Sequence, residues 1–433
     1  MTDVIQEFLA FLNASPTPFH ACHGLAQTLL DAGFEDHSSG TPSSGRFATS
    51  RGLLRDGGAL LAWSLPSTGA PTSLRIIGAH TDSPHLRIRP RPEMERAGCH
   101  QLGVEPYGGL LANSWLDRNL GLAGRVMCRN TYGEVQEHLF ADHRPVLRIP
   151  QLAIHLDREI NEKGLLLNKQ VHLNPIWAIE GIGSTWGEGF AEYCAEQVGQ
   201  RSEAVLTWEV SCFDTAPAQC VGRHSELITS ARLDNLTSCF AATQVLATTP
   251  PSSTGLLMAL FDHEEVGSVS ATGAQSPLLP DLIAALCDAR GIDQQARFEL
   301  LERSSVCSAD MAHATHPNYP ERHEPQHPIR LGGGPVVKVN VNQRYATDAA
   351  SAAAFILACQ DREIPVQTYS HRADLACGST IGPISAAQLG CSTVDVGLAM
   401  LGMHSISETM ATSDLELLIS SLQGWAIQAD SRG

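Results

Sequence analysis

The chain has 433 residues, with 46 Asp and Glu against 29 Lys and Arg and a formal net charge of −17, a balance that repels nucleic acid and anionic membrane surfaces. Hydrophobic residues make up 43% and charged residues 17%, which describes a globular protein with a sizeable core and excludes a disordered chain. The opening Met1-Thr2-Asp3-Val4-Ile5-Gln6-Glu7 is acidic, no apolar run reaches the roughly 20 residues of a spanning helix, and twelve dispersed cysteines form no Cys-x-x-Cys pair, so a soluble cytoplasmic protein with reduced, mostly buried thiols is expected, with neither nucleic acid nor membrane as partner.

Val4, Ile5, Phe8, Leu9 and Leu12 recur at helical spacing, and a second amphipathic helix is predicted over His20 to Leu30. A Ser/Gly-rich loop, His37 to Arg46, leads to two apolar runs short enough for strands, Ala59 to Trp63 and Leu74 to Ala79. The second ends in His80-Thr81-Asp82-Ser83-Pro84. Three later runs repeat that arrangement: Gly255 to Phe261 leads into Asp262-His263-Glu264-Glu265-Val266-Gly267, Ser304 to Ala309 into Asp310, and Thr393 to Leu401 toward His404. Helices are predicted over Leu236 to Leu246, Asp281 to Ala289, Ala346 to Ala358 and Leu415 to Ile427. Strands that end in ionisable residues predict an α/β domain with a mixed or largely parallel sheet and a site outside the carboxyl ends of its strands. Between Arg87 and His224 this pattern stops, while Trp115, Trp177, Trp186 and Trp208 all fall there. The chain therefore reads as a discontinuous domain, 1–87 and 225–433, interrupted by an inserted domain, 88–224.

Zinc takes imidazole nitrogen and carboxylate oxygen, and a catalytic zinc keeps a position open for water. His80, Asp234, Glu265, Asp310 and His404 form such a set, with Asp234, in Ala231-Arg232-Leu233-Asp234-Asn235-Leu236, as the carboxylate bridging two divalent ions. The adjacent acids divide the remaining work, Glu265 as a ligand and Glu264 as the general base. Asp82 is suited to accept a hydrogen bond from the other ring nitrogen of His80 and fix its tautomer. Singly, each has an ordinary explanation: a Glu-Glu pair before Val-Gly is usually a solvated turn, and a strand-end His usually a satisfied core side chain. Four such strand ends together favour a site. The chain has no Gly-x-Ser-x-Gly elbow, no dinucleotide or phosphate loop and no His-Glu-x-x-His helix. His313, His316, His323 and His327 are irregularly spaced and interrupted by prolines, so at most His313, beside Asp310, is expected at the site.

These residues sit in segments through which the chain resembles the aspartyl aminopeptidase family of zinc metallopeptidases. Among them are His80-Thr81-Asp82-Ser83-Pro84, Tyr107-Gly108-Gly109, Ile154-His155-Leu156-Asp157-Arg158, Arg232-Leu233-Asp234-Asn235, Glu264-Glu265-Val266-Gly267-Ser268, Ser308-Ala309-Asp310-Met311-Ala312-His313, Lys338-Val339-Asn340, Gln343-Arg344-Tyr345-Ala346 and Met403-His404-Ser405. The resemblance implies a zinc-exopeptidase-like α/β catalytic domain with helices on both faces of a mixed sheet, and an inserted, mainly β dimerisation domain. It implies the same five ligands, Asp234 as bridge, Glu264 as base and Asp82 behind His80. It further implies that His155, His313, Lys338 and Tyr345 contact substrate, His155 by reaching a neighbouring subunit's site within a dodecamer built from dimers. Two departures are Gly332 to Gly334, where the family often has a basic residue, and residues 180–199.

The expected function is removal of N-terminal Asp or Glu from short peptides, with two zinc ions per subunit, manganese and cobalt being accepted by the same ligands. Lys338, a cation on the apolar run Pro335 to Val341 of an acidic protein, would recognise the acidic side chain. The alternatives are a related two-metal carboxypeptidase or N-deacylase, and a non-catalytic oligomeric scaffold. The scaffold predicts a lost ligand or base.

Overall fold

The computed structural model describes residues 2–38, 47–181 and 189–428; most of the Ser/Gly loop, Trp186 and part of the departing segment 180–199 lie outside them. Four parallel strands, in the spatial order Thr254–Phe261, Ser73–His80, Ser305–Ala309 and Ser392–Gly397, occupy the centre of a nine-stranded sheet. Ala59–Ser64 and Val336–Val339 flank them antiparallel, which makes the sheet mixed. Period-two alternation sends Ile77, Ala79, Met258 and Leu260 to one face. There they pack with Phe8, Leu25, Leu236 and Leu418 of the helices Asp3–Ala14, Pro18–Asp31, Leu233–Thr248 and Asp414–Ile427. Ile76, Leu257, Ala259 and Phe261 turn the other way, toward Leu282, Leu300 and Ile381 of Leu278–Asp288, Gln294–Glu302 and Ile381–Leu389. Strands covered on both faces have no solvent-facing side, which is why they read as predominantly apolar runs.

Three features depart from the sequence expectation. The run Thr393 to Leu401 is two strands: it breaks at Leu398, and Ala399–Leu401 joins a separate five-stranded sheet with Glu408–Ala411 and Ala312–His313. The helix expected from Ala346 starts at Ala349, because Asp348 accepts Ser351 N–H at 2.7 Å while Ser351 Oγ accepts Asp348 N–H at 3.0 Å, a reciprocal cap. Gln294–Glu302 was not expected as a helix; it buries only Leu300, so its apolar stripe is too narrow to show.

Strands His85–Arg96, Cys99–Tyr107, Asn119–Arg129, Val135–Arg148, Ile176–Ile179 and Val205–Asp214 close into a separate antiparallel barrel. Its core holds Leu86, Leu102, Leu122, Val210 and Trp115, with Trp177 and Trp208 packed against it. The strand that begins at His85 starts five residues after His80, so the chain leaves the sheet's carboxyl edge straight into the barrel wall. No described helix is long and apolar enough to cross a membrane, and all twelve cysteines are free thiols.

Candidate active site

The carboxyl ends of the four parallel strands share one edge, and the ionisable residues collect there. His80 closes its strand, and Asp310 follows Ser305–Ala309 directly. Glu264 and Glu265 lie in the 3-10 turn Glu264–Val266 beyond Thr254–Phe261, entered through His263 at φ 61° and left through Gly267 at φ 100°. Asp234 lies at the start of helix Leu233–Thr248, and His404 in the turn between Ala399–Leu401 and Glu408–Ala411.

The two oxygens of Asp234 face different neighbours. Oδ1 is 3.5 Å from His80 Nε2, which is 3.6 Å from Asp310 Oδ1. Oδ2 is 3.5 Å from His404 Nε2, which is 3.3 Å from Glu265 Oε1. Two trios of candidate ligands, His80–Asp234–Asp310 and Asp234–Glu265–His404, thus meet in one carboxylate. These separations are long for charge-assisted hydrogen bonds. They are close to the edge, about 3.3 Å, of a tetrahedron of ligands roughly 2.0–2.1 Å from a central zinc. Asp234 Oδ1 and Glu265 Oε1 are buried without a hydrogen-bond partner, an arrangement that is costly unless a cation completes it. The donor set therefore fits a divalent ion in each trio.

Crowding controls the charges. Burial alone would lower the His80 pKa, but the carboxylates of Asp234, Asp310 and Asp82 outweigh it and hold the imidazole well above its ordinary value. His404, also opposed by burial, is raised to about 11 by Asp234 and Glu265. Burial, then the nearby acids Asp310 and Glu265, push Glu264 up to about 8, and burial with Asp234 pushes Glu265 up to about 7. Without cations the cluster holds protons, and ion binding displaces them.

Neighbouring groups fix the orientation of these side chains. His80 Nδ1 donates to the Asp82 backbone carbonyl at 3.0 Å, with the Asp82 carboxylate at 3.5 Å, leaving Nε2 for the trio. The Asp82 carboxylate accepts Glu264 N–H at 3.0 Å, Glu265 N–H at 3.1 Å and Tyr107 O–H at 2.6 Å, and so anchors the turn that carries both acids. His404 Nδ1 donates to Gly109 O at 3.2 Å. A Cβ at Gly108 would lie 3.1 Å from that of Glu265, and one at Gly109 would lie 3.3 Å from the His404 ring, so the chain passes there as Tyr-Gly-Gly. The sequence displayed that tripeptide without revealing its task.

Comparison with known proteins gives the family. The aminopeptidase I zinc metalloprotease family, M18, matches residues 11–425. The chain belongs to the M18 family of aminopeptidases. "Probable M18 family aminopeptidase 2" of Streptomyces coelicolor is 44% identical over 426 residues, 96% of each chain. A chain of the Ape4 and Nbr1 complex is 34% identical with a TM-score of 0.90, covering 98% of this chain and 85% of its own. The S. cerevisiae mApe1 dodecamer is 25% identical with a TM-score of 0.85, covering 98% and 96%.

In this M18 aminopeptidase Lys338 is buried on Val336–Val339, its Nζ donating to Met311 O at 3.1 Å, 3.5 Å from Asp310 Oδ2 and 5.1 Å from the centre of the Tyr345 ring. His313 stands on the short strand Ala312–His313, its pKa lowered to about 4 by burial and then by Lys338. The other three histidines of that stretch turn elsewhere: His316 N–H donates to His323 Nε2 at 3.1 Å, and His327 pairs with Glu324 at 2.5 Å. His155 lies on the exposed turn Ile154–Leu156 and, among the described residues, makes no hydrogen bond or ion pair with the cluster. Gly332 N–H and Gly334 N–H donate to the buried Asp414 carboxylate at 2.8 and 3.0 Å, which ties the glycine triplet to the start of helix Asp414–Ile427.

Behind the site, His85 stacks on Tyr107 with ring centres 4.5 Å apart and donates from Nδ1 to Ser83 O at 2.8 Å. Burial, with Arg87 adding, lowers its pKa from 6.5 to about 4. Between those values the unfolded chain binds the proton and the folded chain does not. Stability therefore falls as pH drops through that window, by at most about 1.4 kcal/mol per pH unit. Thermal midpoints of His85→Gln and wild type, followed from pH 7 to 4.5, are expected to show a shallower acid slope in the variant.

Proposed function

We propose that this M18 aminopeptidase releases N-terminal Asp or Glu from short peptides, with two divalent ions, zinc foremost, held by His80, Asp234 and Asp310 and by Asp234, Glu265 and His404. The observation that carries the metal assignment is the division of the two Asp234 oxygens between two ligand trios. Bound ions would supply Lewis acidity toward the scissile carbonyl and the attacking water. Glu264, raised in pKa and flanked by the ligands, takes the water's proton and returns it to the leaving amine. Asp82 holds the backbone of Glu264 and Glu265 in place for that transfer. Lys338, with Tyr345 over its ammonium and His313 nearby, receives the substrate's side-chain carboxylate.

Assembly belongs to the same proposal. Leu152, Ile154, Leu156 and Leu166 are exposed on one segment, Leu166 to 91%, an apolar stretch that favours burial against a second copy. His155 lies within it and would enter a partner's site in a dodecamer built from dimers; the S. cerevisiae relative is a dodecamer. The twelve free thiols favour a reducing, cytoplasmic setting.

The test is hydrolysis of matched dipeptides beginning with Asp, Glu, Asn, Leu or Lys, with N-acetylated Asp as control, before and after chelation and zinc restoration. Chelator-sensitive cleavage confined to Asp and Glu is the expected result. Equal cleavage of Leu would remove Lys338 as selector, and cleavage of the acetylated substrate would favour an N-deacylase.

A further inference from the structure

The two residues whose side chains bound the second trio, Asp234 and His404, come from different elements, yet a single side chain holds both backbones. Glu408, 1% exposed at the head of strand Glu408–Ala411, accepts Asp234 N–H on Oε2 at 3.0 Å and His404 N–H on Oε1 at 2.6 Å. Among the described residues no ion pair engages it. Burial and then the neighbouring Asp234 push its carboxyl well above the ordinary range, the two backbone amides act against that, and Arg232 lies within reach of its charge. Its strand pairs Glu408 with Ser230, four residues ahead of Asp234, so the sheet fixes where the carboxylate sits. On the other side of the same residue, Ser83 Oγ donates to Asp234 O at 2.8 Å, which leaves Asp234 tied through both its amide and its carbonyl. A planar carboxylate spanning two amides sets their separation, and with it the 3.5 Å between Asp234 Oδ2 and His404 Nε2.

We propose that Glu408 is a positioning residue that spaces Asp234 and His404 and thereby sets how tightly the ion they share is held. This rests on the two-metal assignment above. A carboxamide cannot replace it: Gln has one acceptor oxygen, and its NH2 would face one of the two amide donors, releasing that ligand's backbone. Asp keeps both acceptors but withdraws them by one methylene.

Full-length wild type, Glu408→Gln and Glu408→Asp would be compared for zinc retention against a competing chelator, for the thermal midpoint of the metal-free protein, and for kcat and KM at limiting and excess zinc. The expected result for Glu408→Gln is about 10- to 100-fold weaker retention of one ion, the range typical of groups that orient ligands. Its kcat falls at limiting zinc and recovers at excess, and KM stays near wild type. The metal-free midpoint also falls, since one buried amide loses its acceptor, and recovery of kcat at excess zinc separates positioning from that loss; Glu408→Asp falls between. If the Gln variant does not fold, the Asp variant supplies the comparison. Unchanged zinc retention in both variants, or a lower metal-free midpoint with unchanged retention, overturns the role of Glu408. Fewer than two ions in wild type overturns the two-metal assignment itself.

Discussion

Glu264→Gln is expected to lower kcat by about 100- to 10,000-fold while zinc content, assembly and KM remain near wild type. The argument is geometric. Glu264 shares its turn with Glu265, but the trios that meet in Asp234 are completed by Glu265 and Asp310. Its backbone N–H is held by Asp82 at 3.0 Å, so the Gln side chain would occupy the same position. What is lost is basicity. A carboxamide cannot take a proton from water, whereas a carboxylate held beside the ligands His80 and Glu265 can. Metal analysis beside steady-state kinetics separates the outcomes. Loss of one ion together with activity would make Glu264 a ligand, a role its proximity to His80 and Glu265 permits, and undiminished kcat would remove it as base.

The strand-end pattern was legible because parallel strands buried on both faces must be apolar, so any ionisable residue at their ends stands out against them. His80, Asp310 and the Glu264–Glu265 pair are of this kind. Asp234 follows the strand Leu227–Ser230 of a different sheet and opens a helix, and only its neighbours in sequence marked it. Groups that act through their backbone carry no side-chain signal, which is why Gly109 O as the acceptor for His404 was invisible. Tyr107 and Glu408 were invisible for another reason. Asp82 lies 25 residues from Tyr107, and Asp234 lies 174 from Glu408; His404 is only four residues from Glu408, yet nothing local distinguishes an acid that binds two amides from one on a solvated surface. The break at Leu398 was missed because an apolar run does not show the point where the chain passes from one sheet to another.

Lys338→Met is expected to reduce kcat/KM for Asp and Glu substrates by about 10- to 200-fold, the equivalent of about 1.5 to 3 kcal/mol for a charge-assisted hydrogen bond. Met is unbranched, only one atom shorter than Lys, and suits the buried surroundings, so little cavity forms. Removing the ammonium also frees Asp310 of its neighbour at 3.5 Å, and Asp310 belongs to a candidate ligand trio. That second effect falls on every substrate alike. The measurement that isolates selection is therefore the ratio of kcat/KM for an Asp dipeptide to that for its Leu counterpart. If Lys338 receives the substrate carboxylate, the ratio collapses while Leu turnover holds or falls only with the metal. If both substrates fall together and excess zinc restores both, the lysine serves Asp310, and acidic specificity, if present, comes from elsewhere in the assembled site, where His155 of a neighbouring copy is the next residue to replace.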